Sequence, residues 1–150
     1  MIIKKTIKTP CIGICSTGIG DDVCRGCKRF KHEVIDWNAY SYGDKANIEN
    51  RLVGFLTGII QNKLEIVDEE RLRWQLDVQP IDVPSHRNLY CQLLTLLRAG
   101  ASQIQQPEQF GFRVLPECQH QSLKQLAEDI DQEFYALSVA HYERYFQHFA

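Results

Sequence analysis

Four cysteines within seventeen consecutive residues, Cys11, Cys15, Cys24 and Cys27, constrain this chain more than any other feature. Their spacing is Cys-x3-Cys-x8-Cys-x2-Cys. A tetrahedral metal needs four donors converging at about 2.3 Å, and pairs separated by about two to four residues each deliver two sulfurs from a tight turn. Gly13 and Gly26 sit inside the two turns, where a missing Cβ permits unusual dihedrals and lets backbone N–H groups face sulfur. Pro10 fixes the approach of the chain and cannot extend a helix into the site. Structural disulfides and a redox dithiol at Cys24-Arg25-Gly26-Cys27 are the competing readings. The start Met1-Ile-Ile-Lys-Lys meets a cysteine before an apolar signal region forms, which points to the cytoplasm. In that reducing compartment clustered cysteines serve metals or catalysis more often than disulfides. The redox reading wants a βαβ setting that the flanking sequence does not supply.

A closed four-thiolate set suits zinc or an iron–sulfur cluster. The ferredoxin spacings are absent, which favours zinc over an Fe–S cluster or iron. Four thiolates fill the zinc shell and leave no open position for water, so Lewis-acid catalysis at such a zinc is not indicated.

Charge is uneven along the chain. Residues 1–31 hold Lys4, Lys5, Lys8, Arg25, Lys28, Arg29 and Lys31 against Asp21 and Asp22, a net of +5, so the rest of a chain of net charge −2 carries −7. One reading is that these cations offset the negative charge of a metal–thiolate centre. The other is that Arg25, Lys28, Arg29 and Lys31 bind an anionic partner, an acidic protein face or nucleic acid. No apolar run approaches the roughly 20 residues of a membrane span.

The fold class expected is mainly α, an N-terminal four-cysteine metal knuckle followed by a helical body with at most one or two short strands. Residues 1–62 form the metal-binding module with two helices, and 63–150 a helical region. Phe30, Val34 and Trp37 are at helical spacing after the last ligand. Ser41 caps a second helix whose stripe is Ile48, Leu52, Phe55, Leu56, Ile59 and Ile60, ending near Asn62. Asp68-Glu69-Glu70 opens a short helix, while residues 75–83 alternate like a strand. Pro84-Ser85 starts a helix burying Leu89, Leu93, Leu96 and Leu97 that Gly100 ends in a left-handed cap. After a Gln-rich loop, residues 110–115 form a short strand. A long helix then runs from about Ser122 to His148, with Leu123, Leu126, Ile130, Phe134, Leu137 and Tyr145 on one side.

The run Pro10-Cys11-Ile12-Gly13-Ile14-Cys15, then Val23-Cys24-Arg25-Gly26-Cys27-Lys28-Arg29, then Glu33-Val34, Trp37, Ser41, Asp44 and Lys45 resembles a bacterial family known as domain of unknown function 1289. The likeness covers about residues 10–60. It implies the same four ligands by position, and members are often described as predicted Fe–S proteins. It implies no reaction. Phe30 departs from the pattern, since many relatives have a small hydroxyl residue there that would cap the first helix.

Other residues carry weaker signals. Arg29 and Glu33 are four apart and suited to pair with each other. Cys91 reads as a buried small hydrophobe, and Cys118 with His120 is two donors without a second pair. Glu128, Asp129, Asp131 and Glu133, with His141 and His148 beyond, lack the Glu-x-x-His pattern of a carboxylate-bridged site and read as an acidic face. The function expected is a non-catalytic interaction module stapled by its metal, with an Fe–S redox, sensor or electron-transfer protein as the alternative. The expected partner is a protein, nucleic acid comes second, and neither a membrane nor a small-molecule substrate is indicated.

Overall fold

The computed structural model describes residues 6–13 and 15–146. Lys4, Lys5, Ile14 and His148 lie outside the described residues. The chain is mainly helical, with five α-helices and one two-stranded sheet among the described residues. It divides into two compact units, residues 1–55 with 133–150, and residues 56–132, where the sequence suggests a division near 62.

In the first unit an irregular arm leads into a short 3-10 turn, Ser16–Ile19, and a hairpin-like turn closed by a bridge between Val23 and Phe30. Helix α1 (Lys31–Asp36) runs directly into a 3-10 turn, Trp37–Ala39. Helix α2 (Tyr42–Gln61) starts where expected, with Ser41 Oγ accepting the Asp44 N–H at 3.1 Å. The whole predicted stripe of α2 is buried except Phe55, which is half-buried. Helix α5 (Leu123–Tyr145) contributes residues 133–145 to this unit. Its buried face steps by four, through Leu126, Ile130, Phe134 and Ser138. That stepping leaves Leu137 and Tyr145, expected inside, at 40% and 52% exposure.

The second unit holds β1 (Leu64–Ile66), α3 (Glu69–Val78), α4 (Leu89–Gly100) and β2 (Phe112–Val114). The strands pair antiparallel, Leu64 opposite Val114 and Ile66 opposite Phe112, with Glu65 and Arg113 joined at 2.6 Å across the exposed face. Asp68 caps α3 by accepting the Arg71 N–H at 3.1 Å. The helix then continues through residues expected to be a strand, because Leu72 and Leu76, four apart, both bury in it. Helix α4 begins five residues beyond Pro84: Pro84 makes a turn in which Arg87 N–H donates to its carbonyl, and Asn88, not Ser85, caps the helix by accepting the Cys91 N–H. Gly100 falls in the last turn at φ −149 rather than in a left-handed cap.

Gly111 fixes the approach of β2 to the start of α3. Its φ is +82, its carbonyl accepts the N–H groups of both Val67 and Asp68, and a Cβ built there would overlap the Asp68 carbonyl oxygen and lie 2.8 Å from the Leu72 nitrogen. Gly111→Ala therefore combines a left-handed penalty of about 1–2 kcal/mol with a backbone clash. The urea midpoint should fall by the equivalent of more than about 2 kcal/mol at unchanged m-value. A loss under half that would show that the loop shifts freely.

Candidate metal centre

The Cys24–Cys27 turn is built by backbone hydrogen bonds. Cys24 N–H donates to the Arg29 carbonyl at 2.9 Å, Lys28 N–H to the Cys24 carbonyl at 2.8 Å, and Lys31 N–H to the Asp22 carbonyl at 2.8 Å. Closing this turn puts Lys28 at φ +67, a left-handed conformation that a non-glycine residue adopts at some cost. Burial of its side chain accompanies that strain: Lys28 is 1% exposed, its Nζ donates to the Gly26 carbonyl at 3.1 Å, and it lies over the Phe134 ring.

The turn aims N–H groups at sulfur. Burial pushes the Cys24 thiol up, but backbone N–H donors of Cys27, Ser16 and Gly26 outweigh it and bring the thiol from 9.0 down to about 7. The Cys27 thiol is pushed up by its deeper burial, against the pull of Arg29, whose Nε donates to Cys27 Sγ at 3.2 Å. These two cysteines interact directly. Ser16, the residue after Cys15, is tied to the same turn, since its Oγ accepts the Arg25 N–H at 2.8 Å. Cys15 and Cys11 are exposed, Cys15 Sγ lying 3.1 Å from Thr17 Oγ1 and Cys11 Sγ accepting the Gly13 N–H at 3.4 Å. Gly13 stands at φ +90, which a Cβ would resist. The structure thus brings Cys24 and Cys27 together with the chain next to Cys15. Among the described residues no three His, Cys, Asp or Glu side chains gather into one metal-binding group.

The chemistry of the donor set fits a thiolate-bound metal. Amide N–H groups directed at sulfur favour the anion over the thiol, and metal ligation requires the anion. Cys24 and Cys27 are the two residues of the formed turn that could hold a metal, and Cys11 and Cys15 are the exposed cysteines of the same segment.

The four cations of the predicted basic surface divide. Arg25 has a side chain 64% exposed, bonded to Asp21 at 3.1 Å and stacked over Tyr135, and Lys31 is exposed. Lys28 and Arg29 are buried, at 1% and 4% exposure, so neither presents its charge on a surface. Burial follows from the turn, which points these two side chains toward Phe134 and Trp37.

Beneath the turn lies the support of the first unit. Phe30 occupies the N-cap of α1, is fully buried, and has no side-chain acceptor, so only half of a capping box forms: Phe30 N–H donates to Glu33 Oε1 at 2.8 Å. The same carboxylate takes both ends of the Arg51 guanidinium, at 2.6 and 2.7 Å. Glu33 is thereby paired with Arg51 and not with Arg29, because Arg29 turns to Cys27 and Trp37. Arg51 also lies over the Phe30 ring at 4.1 Å. Sequence reasoning missed Arg51 and Ser16. Arg51 left a signal, a charge lying between Ile48 and Phe55 on the apolar stripe of α2, whereas Ser16 left none.

The remaining candidates lie apart from the cysteine turn in sequence and keep ordinary roles. Cys91 is 3% exposed beside Thr57, and Cys118 is buried while His120 is exposed. Asp129 accepts from Gln121 and Gln125, and Asp131 pairs with Arg98 at 3.0 Å, as an outward polar face does. No helix among the described residues is long and apolar enough to cross a membrane.

Residues 9–54 match the model of a family described as Protein of unknown function (DUF1289), which bears out the resemblance carried by the cysteine and tryptophan motifs. No curated protein and no solved structure matches the chain.

Two outcomes follow from the support beneath the turn. Arg51→Met strands the buried Glu33 carboxylate and should cost about 3–5 kcal/mol in urea unfolding, with Glu33→Gln in the same chain restoring part of the loss; equal stability of Arg51→Met and the parent would show the pair to be idle. His141 stacks on Phe30 with ring centroids 5.8 Å apart and meets Phe55 edge-on. Burial and the nearby Arg51 charge hold its pKa below 6.5, with Glu33 pulling the other way. A folded-state pKa below the unfolded one favours the neutral ring, so this contribution is whole above pH 6.5 and is lost as pH falls through the folded pKa. Between about pH 7 and 5 the thermal midpoint should fall more steeply for the parent than for His141→Gln. Parallel curves would assign the acid sensitivity elsewhere.

Proposed function

We propose that residues 9–54, the segment matching DUF1289, close Cys11, Cys15, Cys24 and Cys27 around one metal centre, zinc in the first reading and an iron–sulfur cluster in the second. The protein is then a non-catalytic interaction module of the cytoplasm, its metal acting as the staple that fixes the first thirty residues. The observation that carries this reading is the turn that brings Cys24 and Cys27 together, with Arg29 Nε–H donating to Cys27 Sγ at 3.2 Å and the backbone N–H groups of Cys27, Ser16 and Gly26 lowering the Cys24 thiol. Donors at the sulfurs favour a thiolate, and the structural role of a four-thiolate zinc is to supply folding energy where a small module has little core. The surface offered to a partner is the exposed side of that module: Arg25 and Lys31 with Ile12 and Ile19, which are 57% and 87% exposed. Exposed cationic and apolar groups on one module suit an acidic protein face.

The same N–H groups favour the Fe–S alternative of a redox or sensor protein, because hydrogen bonds to sulfur set cluster potential. Metal analysis of anaerobically purified protein separates the two. One zinc per chain in a colourless protein supports the staple; brown protein with about two or four irons per chain moves the assignment to the cluster. In either case Cys24→Ser with Cys27→Ser should abolish metal retention and lower the thermal midpoint by more than about 5 °C. Unchanged metal content and midpoint in that variant would refute the proposal.

A further inference from the structure

We infer that Arg29 is the internal counter-cation of the thiolate centre, a positioning residue whose buried guanidinium donates to Cys27 Sγ and so determines how tightly the metal is retained. This rests on the four-thiolate reading above. Arg29 is 4% exposed, and its guanidinium contacts the Cys27 sulfur through Nε at 3.2 Å and the Trp37 ring at 4.9 Å. Among the described residues it has no carboxylate within ion-pair distance. Glu33, four residues on, is committed to Arg51 and to the Phe30 N–H.

A guanidinium taken out of water without a counter-charge is costly, and it cannot shed its proton. A neutral thiol is a weak acceptor and compensates little of that cost, whereas a thiolate forms a charge-assisted bond with it. The environment of Arg29 is therefore matched to a negative sulfur at Cys27. Four thiolates around a divalent ion leave net negative charge, which a buried cation in contact with one ligand offsets from inside the fold, where screening is weak. Trp37 fixes the plane of the guanidinium by stacking on it, so that Nε and not a more distant nitrogen meets the sulfur. Lys124, exposed to solvent on α5, serves as the control.

The test uses the full chain, reduced and metal-free, with Zn²⁺ alone as the probe in competition with a chromophoric chelator. Arg29→Gln should weaken Zn²⁺ retention by about 10- to 100-fold, the usual effect of losing a group that orients a ligand. Arg29→Lys should recover part of that loss, and Lys124→Gln should match the parent. In the parent itself the Arg29 Nε–H resonance should shift, and its exchange with water should slow, when Zn²⁺ is added; this measurement decides the matter if Arg29→Gln does not fold. Parent-like affinity in Arg29→Gln, or an Nε–H signal indifferent to Zn²⁺, overturns the role of Arg29 while leaving the metal centre standing. A parent chain that takes up no Zn²⁺ through its cysteines overturns the four-thiolate reading itself.

Discussion

The carboxylate of Glu33 joins the pieces of the first unit. One oxygen accepts the N–H of Phe30, the residue that ends the cysteine turn and opens α1, and the two oxygens together grip Arg51 on α2. A short helix of six residues has too few hydrogen bonds of its own to persist in water. Glu33 supplies the missing cap from inside α1 and anchors it to a helix of twenty residues. The cost of burying this pair is met by satisfied hydrogen bonding on both partners and by the Phe30 ring beneath the guanidinium. Aromatic groups from residues 141–146 then complete the enclosure of Phe30.

Upon that support the cysteine turn concentrates positive potential. Backbone N–H groups meet Cys24, the Arg29 guanidinium meets Cys27, and Lys28 is buried alongside. The positive excess of the N-terminal segment is thus spent partly inward, where a charge acts in a low dielectric, and partly outward through Arg25 and Lys31, where salt screens it. The inward share bears on how a metal would be held, and the outward share on what the module can meet.

The second unit relies on close backbone approach rather than on charge. Gly111 lets the start of β2 sit against the N-terminus of α3, and its carbonyl serves two N–H groups there. Asn88 performs a comparable service for α4, capping it while donating to Thr57 at 2.8 Å.

The sequence by itself determined the four cysteines and their grouping in pairs, the mainly helical class, the family likeness of the first segment, the stripe of α2 and its Ser41 cap. All of these are local: spacing, periodicity and capping act over a few residues, and they leave a readable pattern. Tertiary structure alone decided that Lys28 and Arg29 turn inward, that Glu33 chooses Arg51 over Arg29, that α3 runs through Leu76 where alternation suggests a strand, and that residues 133–146 join the first unit. Each of these depends on partners far along the chain. A charge near a cysteine looks the same in sequence whether it faces water or sulfur, and only the packing of Trp37 and Phe134 against the turn determines which.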